Sequence, residues 1–153
     1  MAFTGDISKM YHVIKLSMLD QHTHRYKWRS LNLSIQPQTY VMTSVSFGDK
    51  PAATISAFAL KKTAEMNADE HSAASQTIQT NTYVDDIIES KDSLDECKQL
   101  AEEIDLVLET GNFHIKECFF TGECKSSEDS SSQSCPEVLS DVKKVLGISW
   151  DKN

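Results

Sequence analysis

No apolar run in this chain approaches the roughly 20 residues needed to cross a bilayer, which argues against a membrane-spanning helix. Nor do the first residues, Met1-Ala2-Phe3-Thr4-Gly5-Asp6, show a basic start followed by a long apolar stretch, so nothing reads as a secretory signal. Cysteine is sparse: Cys97, Cys118, Cys124 and Cys135 form no C-x-x-C pair. That excludes a disulfide-stapled miniature fold. A zinc site drawn from His114, Cys118, Cys124 and Cys135 would have gaps that match no common ligand spacing, so free thiols are expected. The expected location is intracellular, cytoplasmic or nuclear.

What is present is an ordinary globular composition. At 153 residues, with 39% hydrophobic and 25% charged, the chain is long enough for one domain with its own core. The net charge of −8 opposes tight nucleic-acid binding, but it is unevenly spread. Residues 1–62 hold eight basic against three acidic side chains, a net of +5. The remainder holds seven against twenty, a net of −13. A basic surface on the first part is implied, with solvated acidic helices on the second. Contact with a phosphate backbone is permitted; strong binding is not expected.

The patterning predicts an α+β domain. Phe3 to Lys15 begins as a strand, and Arg25–Arg29 and Thr39–Val45 have the aromatic and β-branched content of strands. Pro51 suits the first turn of a helix through Leu60, and a second helix resumes around Ser72–Gln79. Thr80–Tyr83 and Ile87–Ser90 flank Asp85-Asp86 as a hairpin. Ser93–Thr110 is the clearest helix, with Ser93 and Glu96 as a capping box and Gly111 as its stop. Leu94, Cys97, Leu100, Ala101, Ile104, Val107 and Leu108 make its apolar stripe. Phe113–Ile115 and Cys118–Phe120 read as strand, residues 125–135 as a flexible serine-rich loop, and Val142–Trp150 as a last apolar segment. The expected architecture is an antiparallel sheet with helices packed on one face.

Adjacent aspartates can aim at one place only from a tight turn, because neighbouring strand residues face opposite ways. Two close like charges then require a cation, and magnesium suits a few carboxylates with phosphate oxygens and water. Alone, an Asp-Asp pair is more often an ordinary solvated turn. Here it stands in an ordered set. Gly5-Asp6-Ile7-Ser8-Lys9-Met10-Tyr11, Phe47-Gly48-Asp49-Lys50-Pro51-Ala52, Tyr83-Val84-Asp85-Asp86, Gly111-Asn112-Phe113-His114-Ile115-Lys116 and Val145-Leu146-Gly147-Ile148 follow one another along the chain. These resemble the five palm motifs of reverse transcriptases. Asp20-Gln21-His22-Thr23-His24-Arg25, Ala59-Leu60-Lys61-Lys62-Thr63-Ala64 and Leu146-Gly147-Ile148-Ser149-Trp150-Asp151 are similar to phrases of the BEL/Pao group of LTR retrotransposons. The resemblance runs from about residue 3 to residue 151.

The resemblance implies a reverse-transcriptase palm and an RNA-directed DNA polymerase with two magnesium ions. Asp6, Asp85 and Asp86 would be catalytic, and the Ile7 carbonyl an extra metal ligand beside them. Tyr11 would be the sugar gate, with a core tyrosine as its alternative. Phe47 and Gly48 would lie beside the incoming base and template. Lys116 would sit near the triphosphate, or else be a surface lysine. Leu146 and Gly147 would belong to the primer grip. The partners would be an RNA or DNA template, a primer and a deoxynucleoside triphosphate, with no membrane. Asn112 and Cys118 depart from the family's usual glycine and tryptophan. Fingers and thumb segments are not recognised, so residues 1–153 are expected to be a partial domain, weak in nucleic-acid binding and inactive alone. The competing expectation is a non-catalytic retroelement remnant or a host-retained interaction module.

Overall fold

The computed structural model describes residues 1–121 and the backbone of two later strands, Val142–Val145 and Ile148–Asp151. The serine-rich stretch at 125–135, Cys124, Cys135, Leu146 and Gly147 lie outside the described residues. In chain order the elements are β1 (Ala2–Ile7), α1 (Met10–Val13), α2 (Met18–Gln21), β2 (Arg25–Trp28), β3 (Gln38–Val41), α3 (Ala52–Met66) and α4 (Ser72–Thr80). There follow β4 (Thr82–Tyr83), β5 (Asp86–Ser90), α5 (Leu94–Thr110), β6 (Ile115–Phe120), β7 (Val142–Val145) and β8 (Ile148–Asp151). They form two compact units, Met1–Ser8 with Ala57–Asn153, and Lys9–Ser56.

The first unit is α+β. Its antiparallel sheet has the order β4-β5-β1-β6, and α4 and α5 pack against it. Strand β1 is central, pairing from Ala2↔Ser90 to Asp6↔Asp86 on one side and from Phe3↔Phe120 to Asp6↔Glu117 on the other. Alternation then divides its residues between two faces. Phe3, Gly5 and Ile7 share the helix side, where Phe3 and Ile7 are buried. Ile87, opposite Gly5, is buried with them. Glu89, opposite Phe3, accepts hydrogen bonds from Thr77 Oγ1 at 3.1 Å and Asn81 Nδ2 at 3.0 Å, tying β5 to the end of α4.

Helix α5 forms where its capping residue and apolar stripe direct it. Ser93 Oγ accepts from the Glu96 N–H at 3.2 Å, and Cys97, Leu100, Ala101, Ile104, Val107 and Leu108 are buried. Each fully buried Leu, Ile or Val contributes about 1.5–3 kcal/mol relative to exposure. Asp105, between stripe positions, accepts the Ile115 N–H at 2.9 Å and so fastens the start of β6. The helix stops at Gly111, as the sequence predicts, but not through a left-handed glycine. Gly111 has φ −94°, an ordinary value, and the left-handed residue is Asn112 at φ 62°. Asparagine tolerates that conformation better than most residues, since its short polar side chain bonds locally. Gly111 serves packing instead: a Cβ there would lie 2.9 Å from Thr63 Cγ2 and 3.1 Å from Phe113 Cδ2, with Thr63 Oγ1 closer still.

The second unit is small. Its core is Tyr11, Val45 and Ala52, with Ile14 and Leu16 against them. Strands β2 and β3 make a separate two-stranded ribbon, and the strand expected to reach Val45 stops at Val41. Helix α2, which the patterning did not predict, starts at Ser17, whose Oγ accepts from the Asp20 N–H at 3.2 Å. Strands β7 and β8 pair as a hairpin from Val142↔Asp151 to Val145↔Ile148. Among the described residues, no helix is long and apolar enough to cross a membrane.

Candidate functional site

Tyr83 pairs with Asp86, leaving Val84 and Asp85 as a two-residue hairpin turn. Such turns favour glycine or asparagine, because one or both residues take positive φ. Val84 does so at φ 55°. A β-branched residue there is an outlier that costs on the order of 1–3 kcal/mol, and such strain concentrates at functional sites. The surroundings hold it in place. Thr82 Oγ1 donates to the Ile78 carbonyl at 2.8 Å, the Ile88 N–H to the Asn81 carbonyl at 3.0 Å, and the Ile7 N–H to the Asp85 carbonyl at 2.8 Å. Replacing Val84 with glycine should therefore raise stability by about 1 kcal/mol, the relieved strain less glycine's extra entropy of roughly 0.5–1 kcal/mol. Urea denaturation checks this; a lower midpoint for the glycine variant would count against stored strain.

The turn sets up a row of acids. Asp86 is directly opposite Asp6, and Asp6 is opposite Glu117 on its other side. Directly paired residues face the same way, with Cβ atoms about 4.5–5.5 Å apart. Glu117, Asp6 and Asp86 thus share the sheet face away from Phe3 and Ile7, with Tyr83 beyond Asp86. Asp6, Asp85 and Asp86 are all half-buried. Like charges so placed oppose one another, and a cation would relieve them.

Lys116 owes its position to an irregularity. The register passes from Asp6↔Glu117 to Ile7↔Ile115, so Lys116 is the extra residue of a bulge. Bulges re-aim side chains and are common beside active sites. Here Lys116 Nζ lies 3.4 Å from Glu117 Oε1, on a side chain that is mostly exposed. An exposed pair of this kind exchanges partners at little cost.

Among the described residues no three His, Cys, Asp or Glu side chains form a ready-made metal cage. Magnesium seldom needs one, since it commonly takes one or two carboxylates and completes its shell with water and substrate phosphates. The opposed Asp6 and Asp86, with Asp85 adjoining, fit that mode of binding and not a preformed structural site.

In the second unit, the expected substrate residues are brought together. Tyr11 is 8% exposed and lies in α1, so its ring is part of the core, while Phe47 is 68% exposed. Their ring centroids are 4.6 Å apart. Gly48 has φ 94°, which explains the glycine by backbone conformation; an added Cβ would meet nothing within 4 Å. Asp49 closes this turn, its Oδ2 accepting from the Ser46 N–H at 3.4 Å and lying 2.9 Å from His24 Nε2. With Nδ1 facing the Asp20 carbonyl at 3.2 Å, both ring nitrogens of His24 meet acceptors. The Asp20 carbonyl first, and then the Asp49 carboxylate, raise its pKa above the ordinary histidine value. Glu117 was not singled out from sequence, and His24 and Asp49 were named only within motif phrases, without roles of their own. Their partners are set by tertiary pairing, and no local spacing signals them.

Cys97 is buried as expected of a core residue, and Cys97 and Cys118 are free thiols. No protein-family model matches this chain, and no curated protein matches it.

Proposed function

We propose that this chain is the palm of a BEL/Pao-type reverse transcriptase, built for nucleotidyl transfer to a primer 3′-hydroxyl with magnesium. The observation that supports it most is the direct opposition of Asp6 and Asp86 beside a strained Val84-Asp85 turn. Two magnesium ions, when bound, stabilise the attacking and leaving oxygens of phosphoryl transfer. Asp6 and Asp85 would hold them, Asp86 would complete the acidic set, and the Ile7 carbonyl would be an additional oxygen donor. Lys116, which lies 3.4 Å from Glu117, would supply positive charge or a proton near the triphosphate. By the resemblance Tyr11 would be the sugar gate and Phe47 and Gly48 would border the base and template, but Tyr11 is buried in the core of its own unit, which favours its alternative as a core tyrosine. Leu146 and Gly147 steady the primer end. Such catalysis rests on positioning and electrostatics, for which acids opposed on the two inner strands of a sheet are suited.

The row Glu117-Asp6-Asp86 also favours a second reading, a palm that has lost catalysis and serves as an interaction module, because a further carboxylate stands opposite Asp6 and holds Lys116 at 3.4 Å. Manganese binding followed by electron paramagnetic resonance, with a deoxynucleoside triphosphate present, separates the two. In the first reading the ion binds, and Asp85→Asn weakens it by about tenfold or more, equivalent to about 1.4 kcal/mol. Equal binding by wild type and variant, or none, would sink it. With a net charge of −8, the chain alone is expected to hold template and primer poorly, so unaided primer extension should be negligible.

A further inference from the structure

The side chain of His24 is set among acceptors. Nε2 lies 2.9 Å from Asp49 Oδ2, and Nδ1 lies 3.2 Å from the Asp20 carbonyl oxygen and 2.9 Å from Thr23 Oγ1. The Thr23 hydroxyl donates to that same carbonyl at 2.7 Å, so it offers Nδ1 a lone pair and not a proton. A neutral imidazole has one N–H and one bare nitrogen, whereas the imidazolium donates from both. Either neutral tautomer would turn a lone pair on an oxygen; the imidazolium alone satisfies the arrangement. The charges acting on the ring, the Asp49 and Asp20 carboxylates, both favour that form. Arg25, the neighbouring cation, is directed instead to His22 Nδ1 at 2.8 Å.

The two ends of this contact differ in freedom. The His24 backbone is held on both sides: its N–H donates to the Gln21 carbonyl at 3.1 Å, and its carbonyl accepts the Met42 N–H at 3.1 Å. Asp49 stands in the turn that leads into α3, where Phe47 is exposed and Gly48 takes φ 94° with open space about it. The turn's own bonds are long. Asp49 N–H to the Ser46 carbonyl and Ser46 N–H to Asp49 Oδ2 are both 3.4 Å. The shorter contact of Asp49 Oδ2 is therefore the one to His24, which fastens a loosely bonded turn to a fixed backbone.

We propose that His24 and Asp49 form a proton-operated latch on the Phe47-Gly48 turn, closed while His24 is protonated and released when it is neutral. The Asp20 carbonyl, and after it Asp49, raise the His24 pKa above the ordinary histidine value. The latch is therefore fully formed below that ordinary value and is lost as pH rises through the raised one. On release the ring keeps its Nδ1 proton for the Asp20 carbonyl and Thr23, and its bare Nε2 repels the Asp49 carboxylate. Because Gly48 is the unhindered position, the turn yields and the His24 backbone does not. The latch needs neither metal nor Asp6, Asp85 or Asp86, so its failure and that of the polymerase reading are seen separately.

Nuclear magnetic resonance of the full chain tests it, from about pH 5 to a unit or so beyond the usual histidine range, about pH 8. The His24 ring should titrate above the ordinary histidine value. Below its midpoint the Phe47 and Gly48 amides should have order parameters near the rigid value of about 0.85, and above it they should fall towards about 0.6. His24→Gln, whose side-chain amide donates at every pH, should keep the turn rigid throughout. Asp49→Asn should lower the His24 midpoint and leave the turn mobile at both ends of the range. His12 is a second titrating ring against this turn, its centroid 5.7 Å from that of Phe47, and His12→Gln should behave as the wild type does. A His24 midpoint at or below the ordinary value, or turn order that ignores it, would overturn the proposal. So would a pH response that persists in His24→Gln or disappears in His12→Gln, or one that Asp49→Asn leaves unchanged.

Discussion

Phe3→Ala is expected to lower the stability of the folded chain by about 3–5 kcal/mol, enough to remove most of a typical domain's margin. Phe3 is 1% exposed on the central strand of the four-stranded sheet, and its ring lies 5.9 Å from that of Phe120 on the neighbouring strand. Truncation leaves a ring-sized cavity between the sheet and α5, where close-packed neighbours relax only in part. The lost ring pair adds about 0.5–1.5 kcal/mol within that total. Equilibrium denaturation with guanidinium measures it, with Tyr26→Ala as an exposed aromatic control that should change stability by less than about 0.5–1 kcal/mol. A Phe3→Ala loss as small as the control's would show that this strand is not the centre of the core.

Gly111→Ala is expected to cost about 1–3 kcal/mol, the usual range for overpacking. A helix end normally gains from alanine in place of glycine where φ is negative, so the sign here is diagnostic. Gly111 has φ −94°, and the penalty arises from contact with Thr63 and Phe113. Thr63 has little freedom to yield: it is mostly buried, and its hydroxyl donates to the Ala59 carbonyl at 3.0 Å. The double variant Gly111→Ala/Thr63→Ser should recover part of the loss by removing the Thr63 methyl. Thermal unfolding of the single and double variants checks both signs; stabilisation by Gly111→Ala would mean that the helix end stands away from α3.

Where one residue's neighbours in sequence decide its state, the sequence was readable. Helix α5 follows from Ser93 and its apolar stripe, and the 82–90 hairpin from two short apolar segments about Asp85. Helix α2 was equally accessible, because Ser17-x-x-Asp20 is a capping signal, but its four residues bury no side chain and leave no periodic trace. The residues that escaped depend on distant partners. Glu117 acquires its place only through the register of β6 on β1, shifted by one residue at Lys116. His24 and Asp49 meet across 25 positions of sequence. Asn112, which departs from the glycine of the resembled motif, holds the left-handed position just after the helix stop at Gly111. Asp6 and the Asp85-Asp86 pair were recognised by motif order, whereas their direct opposition required the sheet.

The pairing of Asp6 with Asp86 also has a temporal side. The two residues are 80 positions apart, so their strands meet only after a long loop closes, at an entropic cost growing as (3/2)RT ln n, about 4 kcal/mol plus a constant. Contacts of that span form slowly and tend to form late. The neighbouring hairpin, closing over two residues, can form on a microsecond scale before β1 arrives. The like charges therefore meet only once a long-range strand pairing has formed. A divalent cation that joins them would act chiefly as a brake on unfolding, keeping the central strand seated after it has docked.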